Sequence, residues 1–314
     1  MIFGRQKKIF KFIVFSSVLF VFLPQFSFAK LFELSVAGGI RSGKIQEFVY
    51  DNGTTKSRLD WKTPLVPVLN ISGRLDIFHA ILDLSVVSAI PVKLGSMQDY
   101  DWLGTDTSKY THFSDHDLIV NKLYDLEAKT GYNFNLLNFN VPVDLSIIPQ
   151  IGFLYRNQKF EACDGYSQYA DSGSGEYWSS SIEKNYLSGT IITYETASYM
   201  PFVSLEAEYK IDSSWRVKQF GRFFPYVYAT AIDNHYHPSK HKEYTDILKN
   251  GFGFSLGTEA SWKKLSVSVF YEWFRCKEGS SYDRNIGTSS DYSKESTTPG
   301  ITSSVLSVMV SYRI

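Results

Sequence analysis

The sequence predicts an all-β protein, a ten-stranded antiparallel transmembrane β-barrel with long extracellular loops. Three observations carry this expectation. Apolar and polar residues alternate with a period of two along nearly the whole chain after residue 30, tight turns alternate with long polar connections, and the N-terminus has the form of a cleaved secretory signal.

The signal is read first. Arg5, Lys7, Lys8 and Lys11 precede the apolar run FIVFSSVLFVFLPQF, and small residues follow at Ser27 and Ala29. Pro24 interrupts the run, which favours cleavage over a membrane anchor. Residues 1–29 are therefore expected to be removed, leaving residues 30–314 as one barrel domain, since no Pro/Gly/Ser linker divides them. Cleavage takes away four of the 32 basic residues and none of the 32 acidic ones, so 28 face 32, a formal charge of −4 that argues against a nucleic-acid partner. No second long apolar segment follows, so a chain resident in a membrane would cross it with strands.

Ten alternating segments lie near 31–50, 58–76, 79–101, 117–136, 140–162, 190–210, 215–235, 248–260, 263–276 and 300–314. In LDLSVVSAIPVKL, residues Leu82, Leu84, Val86, Ile90, Val92 and Leu94 are apolar, against Asp83, Ser85 and Lys93. Val141, Val143, Leu145, Ile147, Ile151 and Phe153 alternate with Asp144, Ser146, Gln150 and Gly152, and Phe252, Phe254 and Leu256 with Gly253, Ser255 and Gly257. The last strand ends the chain with Leu306, Val308, Val310, Tyr312 and Ile314 on one face and Ser307, Ser311 and Arg313 on the other. LDIFH, LLNFN, IDSSW and SWKKL are tight connections, whereas 163–189 and 277–298 are long and polar. A soluble sandwich would need a second buried face, and its strands rarely run this long. An even strand number returns the chain to its starting side, with the loops around 96–116, 163–189, 236–247 and 277–298 outside. Cys163 and Cys276 could oxidise after export, although they fall at the ends of non-neighbouring strands.

Two constellations carry chemistry. In MQDYDW, Asp99 and Asp101 are spaced by two on the third segment, where odd positions face the lumen, so both carboxylates converge on water inside the barrel. Such a pair can share a proton or a water, or line a pore and tune its selectivity. In AIDNHYHP, Asp233 and His235 share a face of the seventh segment. Alternation is weaker there because Arg222 interrupts the outward set Phe220, Phe224, Tyr226, Tyr228 and Ile232, but an inward orientation is expected. An aspartate beside a histidine can fix its tautomer and make it a base toward water; Asp-x-His alone is a weak signal. First-strand parity, with Glu33, Ser35 and Arg41 opposite Phe32, Leu34, Val36 and Ile40, turns Glu47 inward as well. His235, His237 and His241 could hold zinc, but Pro238 breaks their spacing and no metal is expected. His79, His112 and His116 are expected to face solvent.

The chain resembles the omptins, outer-membrane endoproteases built on ten-stranded barrels. SGKIQEFVYDNG with SRLDWK, MQDYDW, DNHYHP and SSDYSK are similar, in order, to the family's first hairpin, its aspartate pair, its Asp/His segment and the stretch before its last strand. The resemblance implies a surface-exposed active site in the bacterial outer membrane. Asp233 and His235 would activate a water that Asp99 and Asp101 hold from across a groove, with neither a covalent intermediate nor a metal. Glu47 would receive the basic side chain before the cut bond of a polypeptide substrate. Ala231 stands where omptins carry a second acid, and an acid of the second loop is replaced near His112, so proteolysis is a firmer expectation than preference for basic residues. No cofactor is implied; lipopolysaccharide would be an activator, bound outside the barrel through Tyr155, Lys159 and Lys249, with Asn157 where an acid is usual. Two other readings stay open: a catalytically silent barrel serving as an adhesin or binding protein, and a passive channel whose narrow lumen Glu127, Lys129, Glu206, Glu208 and Glu272 would fill.

Overall fold

The computed structural model of the chain describes residues 32–139, 144–171, 175–237, 240–286 and 291–314, and the expected signal segment lies outside them. Fifteen strands follow one another: β1 (Phe32–Asp51), β2 (Thr54–Ile77), β3 (Ala80–Ala89), β4 (Val92–Asp101), β5 (His112–Tyr132), β6 (Phe134–Asn135), β7 (Leu145–Tyr169), β8 (Asn185–Tyr186), β9 (Thr190–Lys210), β10 (Trp215–His237), β11 (Lys240–Trp262), β12 (Leu265–Cys276), β13 (Gly279–Asn285), β14 (Ser293–Lys294) and β15 (Thr298–Arg313). The ten expected strands become ten wall positions of a closed antiparallel ring, with β3 and β4 sharing one position and β12 and β13 another. Pairing of β1 with β15, from Ser35 opposite Arg313 to Tyr50 opposite Thr298, closes the ring of ten wall positions.

The start of β1 and the end of β15 meet at the tight-turn rim, where the Ile314 amide donates to the Leu34 carbonyl. Phe78 and His79 supply two left-handed residues to one of these turns, and Asp212 accepts from the Ser214 and Trp215 amides in another. On the opposite rim the first connection is also short, because Asn52 and Gly53 both adopt positive φ, as a two-residue hairpin turn requires.

Outward residues such as Val36, Ile40, Leu69, Ile71, Leu84, Val203, Leu205, Leu256 and Val310 are exposed and form the apolar band. Above it, Tyr124, Tyr155, Tyr199 and Tyr228 run ring to ring across four adjacent strands, with centroids 5.1–5.9 Å apart, where an interfacial aromatic girdle belongs.

Inside, β1 orders the lumen by height. Glu33, Ser35 and Ala37 line a lower cavity, Arg41 reaches a mid-barrel ionic cluster, Ile45 enters an apolar layer, and Glu47 and Val49 line an upper cavity. The ionic cluster joins Arg41 and Arg156 to Asp125 at 2.8–2.9 Å, and Arg156 also pairs with Glu272, all of them buried. Above it, Trp61 stacks on Tyr194 and Phe160 at 5.3 and 6.0 Å. These two layers fill the lumen at mid-height, which disfavours the passive channel.

Two expectations are corrected, and the state of the two cysteines is resolved. Phe220, Arg222 and Phe224 do not follow the outward parity of β10: Arg222 pairs inside the barrel with Glu127, Phe224 is fully buried, and Phe223 is exposed instead. A register shift between Phe224 and Val227, at Pro225, switches the faces, so the apparent interruption at Arg222 was the mark of a bulge. His116 is buried rather than solvent-facing. Cys163 and Cys276 are both free and buried, with the Cys276 thiol set against the Val227 carbonyl.

Candidate active site

The upper cavity has a volume of about 420 Å³ and opens toward the long-loop rim. Glu47 from β1, Asp99 and Asp101 from β4, Asp233 and His235 from β10 and Asp246 from β11 all line it. The structure thus brings Glu47, Asp99, Asp101, Asp233 and His235 together and adds two carboxylates, Asp246 and Glu295.

Asp99 and Asp101 reach the lumen by a less direct route than simple alternation. Ala89 and Val92 both pack against the core, so the break at Ile90 and Pro91 reverses parity once, and the Lys93 side chain then lies outside with Asp117 and Asp164. Between Lys93 and Ser96, β4 carries one extra residue relative to β5, which reverses parity again. Gly95 makes this bulge possible: its φ is 107°, and a Cβ there would lie 2.1 Å from the Lys62 carbonyl oxygen. Met97 is then fully buried, and Asp99 and Asp101 face the cavity. Ser57 from β2 donates its hydroxyl to Asp99 at 3.3 Å.

Across the cavity, His235 Nε2 lies 2.6 Å from Asp233 Oδ2. A carboxylate only accepts, so Nε2 carries the proton and Nδ1 is the basic nitrogen of the ring. The edge of His235 meets the Tyr244 ring, with centroids 5.5 Å apart. Asp233 is buried, and its Oδ1 has no hydrogen-bond partner.

Glu47 and Asp246 are buried likewise, each with one oxygen lacking a partner. Burial, reinforced by Asp233, Asp246 and Asp99, pushes the Glu47 carboxyl well above its usual range. Burial also raises Asp246 to about 7, with Ser281 lowering it and Asp233 raising it. Six carboxylates line this cavity, with Glu295 the last of them, against a single lysine, Lys56. A negative basin of this kind attracts cationic ligands.

Several of these residues escaped the sequence reading. His116 accepts the Ser114 hydroxyl at Nε2, 3.0 Å away, while its Nδ1 donates to the Asp164 carbonyl, which fixes Ser114 directly opposite Asp99. Burial lowers the pKa of His116, keeping the ring neutral. His112 lies on Tyr169 with ring centroids 4.5 Å apart, and burial together with Asp99 and Asp101 raises the Tyr169 phenol to about 12. The signal for these residues was the same period of two, extended upward from Leu118 along β5.

Residues 28–314 match the model of the omptin family. The chain belongs to that family. The omptin is 27% identical over 212 residues to the plasminogen activator of Yersinia pestis, a match that spans 65% of this chain and 63% of that protein. It also resembles the crystal structure of the outer membrane protease OmpT from Escherichia coli, with a TM-score of 0.75 and 20% identity over 90% of this chain and 97% of that one, a likeness of fold.

On the omptin's outer face, Tyr155 and Lys159 stand on β7 just above the apolar band, where Glu195 lies between Lys159 at 3.8 Å and Lys122 at 2.5 Å. Asn157 is buried beside them, and Lys249 is exposed on β11, three strands along the wall. Asp233 engages His235, while the His237 side chain lies outside the described residues, and no cluster of metal-ligating side chains occurs among those described.

Proposed function

We propose that this omptin is an outer-membrane endopeptidase, with its active site facing the cell exterior, that cuts exposed polypeptides near basic residues by attack of an activated water. One observation carries the mechanism: the Asp233–His235 hydrogen bond of 2.6 Å borders the same cavity as Asp99 and Asp101. His235 Nδ1 takes a proton from the water as its oxygen bonds to the peptide carbonyl carbon. Asp233 stabilises the imidazolium that forms. Asp99 and Asp101 hold the water from the opposite wall. Collapse of the tetrahedral species breaks the C–N bond, and the proton on His235 passes to the leaving amine. No side chain becomes covalently attached.

The preference for basic residues rests on the carboxylate excess of the cavity and on buried Glu47. Lipopolysaccharide would act from outside, its phosphates meeting Lys159, Lys249 and Tyr155. The silent-adhesin reading gives no reason for four catalytic-type groups to face one cavity. The test is digestion of a peptide library by the refolded barrel, with and without lipopolysaccharide, the products being mapped by mass spectrometry. Cuts clustered beside Lys and Arg are expected, and intact peptides in both conditions would refute the proposal.

A further inference from the structure

We infer that Asp246 is the second carboxylate of the substrate pocket, and that it and Glu47 together receive a cationic side chain in exchange for a proton released to solvent. The inference deepens the proposed preference for basic residues and rests on it.

Asp246 sits on β11 directly opposite Ala231 on β10, the position two residues before Asp233. Ala231 carries no polar atom, yet the neighbouring strand places a carboxylate at the same height, facing the same cavity as Glu47. Asp246 and Glu47 are each 4% exposed, and each has an oxygen with no hydrogen-bond partner. Two buried carboxylates with unused acceptors are costly unless a donor occupies the space between them. A guanidinium or ammonium group is the donor that satisfies both oxygens and neutralises both charges.

The groups facing the pair settle the proton balance. Asp233 faces Asp246, and Asp233, Asp246 and Asp99 face Glu47, all with negative charge; His235 is committed to Asp233, and Tyr194 beside Glu47 is itself held protonated by burial. Lys56, the one lysine of the cavity, lies at its rim, 3.9 Å from Asp51. Without a cationic guest, burial and mutual repulsion keep a proton on the pair near neutral pH. An incoming cation favours the doubly ionised form, and the proton leaves for solvent.

Binding of arginine amide to the refolded barrel, followed by calorimetry at pH 6 in two buffers of different ionisation enthalpy, tests this without requiring turnover. The parent should release close to one proton per probe bound, and binding should weaken several-fold between pH 8 and pH 5. Asp246→Asn, with its fold checked by heat-modifiable gel mobility, should bind arginine amide at least tenfold more weakly and release little or no proton, while the neutral isostere citrulline amide binds both proteins alike. Parent binding without proton release, or an Asp246→Asn protein that binds arginine amide as the parent does, would overturn the inference. A parent that ignores arginine amide yet hydrolyses peptides lacking basic residues would overturn the inference while leaving the protease reading intact; binding with proton release but no hydrolysis would do the reverse.

Discussion

Asp233 Oδ2 accepts a hydrogen bond from His235 Nε2 at 2.6 Å, an i, i+2 pair on the lumen face of β10. This bond selects the tautomer in which Nδ1 is basic. Asp233→Asn offers an amide that can present either end to the ring, so the wrong tautomer becomes populated. Turnover should fall by about 10² to 10⁴-fold with KM changed far less, as steady-state hydrolysis of a single peptide would show.

The bulge at Gly95 aims the aspartate pair. Gly95→Ala places a methyl group against the Lys62 carbonyl at a φ of 107°, so the bulge must shift and carry Asp99 and Asp101 with it. The expected result is a kcat lower by roughly 10- to 100-fold in a barrel that still folds, because small misplacements of water-holding groups are costly. A kcat equal to the parent's would show that the pair does not need this aim.

Asp246 also makes a stability prediction. Its pKa is raised by burial from the usual carboxylate range to about 7, so its contribution to stability is fully present below about pH 4 and is lost as pH rises through 7. Asp246→Asn removes this dependence. In thermal unfolding followed by gel mobility, the variant should match the parent near pH 4 and exceed it at pH 8, by an amount on the order of a few kcal/mol.

For the outer face, Lys159→Ala combined with Lys249→Ala should weaken activation by lipopolysaccharide, since phosphate contacts there would be charge-assisted. Activity without lipid should be unaffected, because neither residue lines the upper cavity. A double variant that responds to the lipid as the parent does would remove these residues from the lipid site.

The legible part of the sequence was the part governed by strict alternation. Glu47 follows β1 parity without interruption and lines the cavity as expected. Asp99 and Asp101 were placed inward correctly although parity reverses twice before them, at Pro91 and at Gly95, and the two reversals cancel. On β10 a single bulge at Pro225 misplaced Phe220 and Phe224, while Asp233 and His235 above it kept the expected face. Bulges cost sequence reasoning its register because one extra residue exchanges the two faces. Asp246 was illegible for another reason: a lone aspartate in EYTDILKN means little until the β10–β11 register sets it opposite Ala231. His116 is buried because β5 begins at His112, within the stretch whose polarity reads as loop.

The most direct test of the central claim is hydrolysis of a fluorogenic peptide, with arginine before the cut bond, by a His235→Ala barrel whose fold is confirmed by heat-modifiable mobility. If His235 is the base toward water, turnover falls by about 10² to 10⁴-fold while the barrel remains folded, because the residue lies above the lipid-facing wall. Full activity in the folded His235→Ala protein would contradict the Asp/His water mechanism.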